Sequence, residues 1–102
     1  MNDDRLTDLL ATRILGWKPV PDRFLKPDRG WTPRWQFAPL KRIDDAFLLL
    51  DRAAGDYTLQ AAAGVFTAQV RVGKRTGTVS GDEKARTITL AVAEALGLEI
   101  PR

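Results

Sequence analysis

Five of the chain's six prolines, Pro19, Pro21, Pro27, Pro33 and Pro39, fall within residues 17–41. Proline fixes φ and carries no amide donor, so this stretch can be neither a continuous helix nor the centre of a sheet. The same stretch holds five of the eight aromatics: Trp17, Phe24, Trp31, Trp35 and Phe37. Rings carry too much apolar area to be left in water, and disordered linkers are poor in them. The combination predicts an ordered, aromatic-pinned loop over 17–41 with one short strand near Trp35-Gln36-Phe37. At 102 residues the chain reads as a single domain over 1–102, large enough for a core without staples.

Regular elements flank the loop. Leu6, Leu9, Leu10, Ile14 and Trp17 recur at helical spacing, with Asn2 or Asp3 as the cap and Gly16 as the stop. A second helix is expected from Ile43 to about Ala54, its stripe made by Ile43, Ala46, Phe47 and Leu50. Gly55 fits the left-handed position just past its end. Tyr57–Ala63 and Val65–Val72 read as strands joined at Gly64. In the second, Phe66, Ala68, Val70 and Val72 alternate with Thr67, Gln69 and Arg71. Gly73-Lys74-Arg75-Thr76-Gly77 reads as a turn, and Thr76–Ser80 as a short third strand. Ser80-Gly81-Asp82-Glu83 has the capping-box pattern, opening a last helix over roughly Asp82–Leu96 with Ala85, Ile88, Val92 and Ala95 inward. The expected fold class is α+β: a small sandwich of three helices and an antiparallel three-stranded sheet, four-stranded if the short strand joins it. Its order is α-(loop/short β)-α-β-β-β-α.

The element order, together with three patches of residues, resembles the phage ABA sandwich domain family. The patches are Leu9-Leu10-Ala11-Thr12-Arg13-Ile14-Leu15-Gly16-Trp17-Lys18, Pro39-Leu40-Lys41-Arg42-Ile43-Asp44-Asp45-Ala46, and the Ala- and Leu-rich close from Ala85 to Leu98. Leu40-Lys41-Arg42 stand where the family pattern usually has small polar residues. The resemblance implies a three-layer α/β/α-type sandwich of phage or prophage origin, and no catalytic residues.

Composition narrows the chemistry. Cysteine and histidine are both absent, which removes thiol and imidazole catalysis, disulfides, and thiolate or imidazole metal sites. Carboxylates are what remains, and the adjacent Asp44-Asp45 point about 100° apart on a helix, so they do not converge on one proton or ion. No catalytic, cofactor or metal residue is therefore assigned, and no cofactor is expected. The expectation is a protein that is not an enzyme; a small carboxylate-based enzyme is the remote alternative. The start, Met1-Asn2-Asp3-Asp4-Arg5, lacks the basic and apolar regions of a signal peptide, and the longest apolar run is Ala46 to Leu50. The expected location is the cytoplasm of a bacterial or phage-infected cell, with no membrane partner.

The net charge of +3 conceals two basic segments, residues 16–42 at +5 and 61–81 at +3, around an acidic one, 43–60 at −3. Arg29-Gly30-Trp31-Thr32-Pro33-Arg34-Trp35 interleaves cations with tryptophans, a composition found at interface hot spots and at base-stacking surfaces. Arg71, Lys74 and Arg75 form a basic hairpin tip that lacks the spacing of a phosphate loop. Residues 43–97 also have the element order of a double-stranded-RNA-binding domain, but Asp82 and Glu83 stand where its last helix needs cations. The candidate partner-binding residues are thus Arg29, Trp31, Arg34, Trp35, Arg71, Lys74 and Arg75. The favoured function is binding of another macromolecule by a phage or prophage accessory protein. A protein of unspecified identity is the expected partner, with a host protein docked by a counter-defence inhibitor as one specific option. A nucleic-acid-binding module using 16–42 and 71–75 is the alternative. Tyr57–Ala63 or the short third strand, if an exposed edge, would give a monomer or weak dimer.

Overall fold

The first helix, α1 (Asp3–Leu10), is capped by Asn2, whose side-chain oxygen accepts from the Arg5 amide at 2.8 Å. The computed structural model describes residues 2–100. Beyond Leu10 the helix does not run on unchanged to Gly16: over Ala11–Leu15 it widens into a π-helical turn. The wider turn rotates the stripe, so Ala11 and Leu15 are buried while Ile14 is only half-buried. Gly16 then stops it at φ 71, a conformation that suits glycine.

Residues 17–41 are more regular than a pinned loop. They form β1 (Lys18–Val20), β2 (Arg23–Leu25) and β3 (Trp31–Pro33), a three-stranded antiparallel sheet in that order. The prolines allow it because Pro19 and Pro33 lie on the two edge strands, while Pro21 and Pro27 fall in the connections. The short strand expected near Trp35-Gln36-Phe37 is instead a 3-10 turn, Arg34–Gln36. Phe24, fully buried, meets Phe37 edge-on with centroids 5.5 Å apart, and Trp17 closes the cluster at 5.0 Å from Phe37 and 6.0 Å from Phe24.

The second helix, α2 (Ile43–Ala53), buries Ala46, Leu49 and Leu50, but Ile43 at its first position is exposed. Its end differs from expectation. Ala54 turns extended, and the Gly55 amide donates to the Arg71 carbonyl at 2.8 Å, so the chain enters the sheet without a left-handed glycine. The main sheet is β4 (Asp56–Ala62), β5 (Val65–Val72) and β6 (Arg75–Gly81), antiparallel in sequence order. Ala63 and Gly64, both at positive φ, make the first hairpin loop. The second loop is only Gly73-Lys74, because Val72 already pairs with Arg75 and Gly77 lies inside β6, opposite Val70.

The last helix, α3 (Lys84–Ala95), accounts for Gly77. A Cβ there would collide with the Ala91 carbonyl and lie 2.7 Å from the Ala95 amide; one at Gly81 would come within 2.8 Å of the Thr87 hydroxyl. Glycine is thus a packing requirement of β6, not the end of a turn. The expected capping box does not form, since Ser80 is still in the strand with its hydroxyl 2.8 Å from that of Thr67, and Glu83 caps without a side-chain bond. Ala85, Ile88, Val92 and Ala95 are buried as expected, but so are Thr87, Thr89, Leu90, Ala91 and Ala93. The helix is therefore buried over most of its surface, with β5 and β6 on one side and α2 on another, and only Lys84, Arg86 and Glu94 stay partly or fully outside. Thr89 satisfies its buried hydroxyl on the Pro39 carbonyl at 2.7 Å. Gly97, at φ 80, closes it with a Leu98 to Ala93 hydrogen bond of 3.0 Å.

The fold is α+β, with three α-helices and two three-stranded antiparallel sheets. The α/β/α layering implied by the family resemblance is not what packs. The far face of the main sheet is polar and exposed, with Thr58, Gln69 and Thr78 in one cross-strand row, and α3 is the middle layer between sheet and α2. No helix among the described residues is long and apolar enough to cross a membrane.

The two kinds of glycine predict different costs. Gly77→Ala should destabilise by about 2–4 kcal/mol in urea unfolding, because the overpacked backbone of α3 has nowhere to go. Gly64→Ala, at φ 80 with open space around it, should cost only about 1–2 kcal/mol through backbone strain. Equal effects would show that α3 does not sit on Gly77.

Candidate functional site

Three-residue strands on a proline-rich chain leave one face of the small sheet with little to cover it. The register places Lys18, Leu25 and Trp31 in one cross-strand row and Val20, Arg23 and Pro33 in the next. These share a face, and Phe24, between them in sequence, points to the other and into the core. Trp31 is 54% exposed and Leu25 38% exposed, side by side. The Arg23 guanidinium lies 4.4 Å from the centroid of the Trp31 ring and donates to the Asp22 carboxylate at 2.8 Å, so ring and cation are held in place before any partner arrives. The same hydrogen bond lowers the Asp22 carboxyl below its ordinary value of 3.8 and raises the Arg23 guanidinium. The surface is therefore apolar at Trp31 and Leu25 and cationic at Lys18 and Arg23.

On the opposite side of the module a cleft of about 590 Å³ runs between α1 and the 3-10 turn, lined by Asp3, Asp4, Asp8, Arg34, Trp35 and Lys41 among others. Trp35 stands at it 73% exposed. Arg34 is held from three directions. It grips the Asp8 carboxylate with two hydrogen bonds of 2.8 and 3.2 Å, donates from Nε to the Val20 carbonyl at 2.8 Å, and lies 5.0 Å from the Phe24 centroid. The Asp8 hydrogen bond raises its guanidinium pKa. This residue fastens the small sheet to α1 and has little left to offer a partner.

The candidate residues are not brought together. Arg29 is exposed at φ 73 in the tight loop where the Lys26 amide donates to the Gly30 carbonyl, next to Trp31 in the chain. Arg71 pairs with Asp56 at 2.7 Å across the polar sheet face. Arg75 folds toward the end of α3, its guanidinium within 3.4 Å of where a Gly97 Cβ would stand. Of the hairpin tip only Lys74 projects from the loop itself. Lys18, Arg23 and Leu25 were not foreseen, because three-residue strands are too short to display a period of two. Asp45, half of the acidic pair, accepts from the Ala38 amide at 2.9 Å and pins the approach to α2. No group of three acids among the described residues is placed to share a metal ion.

The chain matches no family model and no curated protein. Among solved structures it is similar to a phage protein from Bacillus cereus ATCC 14579, known from a 2.0 Å crystal structure. The TM-score is 0.76 at 16% identity, covering 99% of this chain and 93% of that one. The likeness spans the whole architecture, and at this identity it is a likeness of fold.

Arg34→Ala should lower stability by roughly 1–2 kcal/mol, the charge-assisted bonds being discounted for an ion pair about a third exposed. Arg34→Lys should recover only part of it, since an ammonium cannot make the forked contact. Arg23→Ala should leave stability nearly unchanged but return the Asp22 titration, followed by carboxyl NMR, toward its ordinary value. An unmoved Asp22 midpoint would rule out the Arg23 contact.

Proposed function

We propose that the chain is a non-enzymatic binding protein of phage or prophage origin, related to the phage ABA sandwich proteins, that docks on another protein inside the bacterial cell. The observation that carries this is the outer face of the small sheet, where Trp31 and Leu25 lie exposed in one row with Lys18 beside them and Arg23 stacked on the ring. An exposed tryptophan next to an aliphatic side chain on a rigid strand has the make-up of an interface anchor, and desolvating both stabilises a complex far more than peripheral charges do. The surrounding cations favour a partner with an acidic rim, attracted at long range and matched at contact. The fold shared with a phage protein supports the origin. Within this reading, a host protein bound in the manner of a counter-defence inhibitor is one specific option.

A nucleic acid would need several free cations tracking phosphates. Arg34 and Arg71, which a basic-groove arrangement would call on, are ion-paired within the fold, to Asp8 and Asp56.

The test is affinity capture from nuclease-treated host lysate with the tagged chain and with its Trp31→Ala/Leu25→Ala variant. The expected result is a stoichiometric protein partner retained by the first and lost by the second. The variant should keep the circular dichroism of the parent, both side chains being outside the core. Equal capture by both proteins would remove the small sheet from the interface, and a ligand captured from a parallel untreated lysate but absent from the nuclease-treated one would be a nucleic acid.

A further inference from the structure

We propose that the chain forms a two-fold homodimer in which β4 pairs antiparallel with β4 of a second copy, centred on Leu59. The inference rests on the main sheet and stands or falls independently of the small-sheet interface.

The hydrogen-bonding pattern of the sheet decides which groups of β4 are free. The two-residue loop Ala63-Gly64 is closed by the pair Ala62 and Val65, and such closing pairs exchange backbone hydrogen bonds. Alternation along the ladder then turns Ala62, Gln60, Thr58 and Asp56 toward β5. Tyr57, Leu59 and Ala61 point their N–H and C=O groups the other way, along the open edge. The opposite edge, β6, is not comparable. It shares a depression with Ile100, Arg86, Leu90 and Glu94, and the chain after α3 packs beside it.

Edges of this length are ordinarily blunted by lysine, proline or a bulge. The sequence of β4, Asp-Tyr-Thr-Leu-Gln-Ala-Ala, has none of these over its seven residues, and its register with β5 is unbroken. Its α3-facing side is also only partly covered: Tyr57 is 44% exposed and Ala61 exposed, while Leu59 is half-buried against the edge of the core, because α3 lies over β5 and β6. A strand with free amides along its edge and apolar side chains on the same margin is half of an interface.

The identity of the occupant follows from self-complementarity. A two-fold axis at Leu59 sets Leu59 against Leu59 and Tyr57 of one copy against Ala61 of the other, so the outward-facing residues pair only with outward-facing residues. The large ring falls opposite the small methyl, and Thr58 falls opposite Gln60 on the polar face. Asp56, the one charged residue of β4, comes to lie at opposite ends of the ladder, opposite Ala62. Like charges are never apposed, and the two sheets become one of six strands. An isologous contact of this kind closes on itself and does not propagate into fibres.

Sedimentation of the full chain at several hundred micromolar should give a mass near twice 11.3 kDa, falling toward the monomer on dilution. Over the same range, amide exchange at Tyr57, Leu59 and Ala61 should slow about tenfold or more with concentration, while Thr58 and Gln60, already bonded to β5, change little. Leu59→Lys and Leu59→Glu should each abolish association by apposing like charges, and their equimolar mixture should restore a dimer. A monomer throughout, assemblies larger than a dimer, exchange rates at those three amides independent of concentration, or a folded mixture that stays monomeric would each overturn the proposal. The exchange measurement uses the unmodified chain, so it decides the matter even if the charged variants fail to fold.

Discussion

The backbone of α3 rests directly on the backbone of β6, with no side chain between them at Gly77 and only a hydroxyl at Gly81. Close approach of helix and strand is possible only where the strand has no Cβ and the helix offers small residues, and here Ala91 and Ala95 supply the second condition. Everything else in the main layer is arranged around that contact. A helix drawn so near to β6 and β5 is buried on that side, and α2 covers another, which is why α3 carries apolar or small residues over most of its surface and keeps its charged residues, Lys84, Arg86 and Glu94, on what is left. It is also why β4 is left outside. One helix cannot lie over all three strands at this spacing, so the margin of the sheet goes uncovered.

The arginines divide into those that hold the molecule together and those that remain on its surface. Arg86 reaches Asp3 at 2.9 Å and ties α3 to α1 across most of the chain's length. Arg34 ties the small sheet to the same helix through Asp8, so the acidic first helix acts as an anchor for two cations from distant segments. Asp3 suits the positive end of the helix dipole on its own. Asp8 lies beyond the first turn, where the dipole gives it no such support, and its place is explained by the ion pair alone. The charge pattern along the chain, basic then acidic then basic, therefore describes pairing inside the fold as much as a potential outside it. Lys18, Arg23, Lys26 and Arg29 are different. They cluster along the small sheet, with Arg23 stacked on Trp31 and Lys26 5.1 Å from the Trp17 centroid.

Long elements with an unmixed period were legible in the sequence. The alternation of Phe66, Ala68, Val70 and Val72 predicts β5 and its covered face, and the Leu-rich run predicts α2, because eight to eleven residues supply several repeats of either period. The small sheet was not, since proline argues against strands and no three-residue segment can answer with a pattern. Gly77 was misplaced for the opposite reason: in sequence a glycine reads as a turn, and only the helix lying on it shows that it belongs to a strand. The Ser80 to Glu83 capping signal failed because β6 continues through Ser80, committing its hydroxyl to Thr67. The site was legible to the level of its segment. That Trp31 and Trp35 are exposed while Trp17 joins the core could not be read, because it depends on which side of a strand each ring leaves. That Arg34 is committed to an ion pair within the fold depends on Asp8, a partner 26 residues away.

The placement of the two sheets separates stability from recognition. In the small sheet, Phe24 faces inward to Trp17 and Phe37, while its neighbours Arg23 and Leu25 face outward with Trp31. Since the strand alternates, one side chain carries the packing and the adjacent ones carry the surface, and the surface residues can vary without loosening the core beneath them. The rigidity of that surface is inherited: a sheet of three-residue strands has too few hydrogen bonds to be stable alone, and it is fixed by the aromatic cluster below and by Arg34 at its side. A partner meeting Trp31 would thus meet a ring already oriented, with the entropy of ordering it settled when the chain folded. In the main sheet the relation is reversed. There the hydrogen-bonded backbone is the part left unfinished, and the side chains along β4 set which strand can complete it.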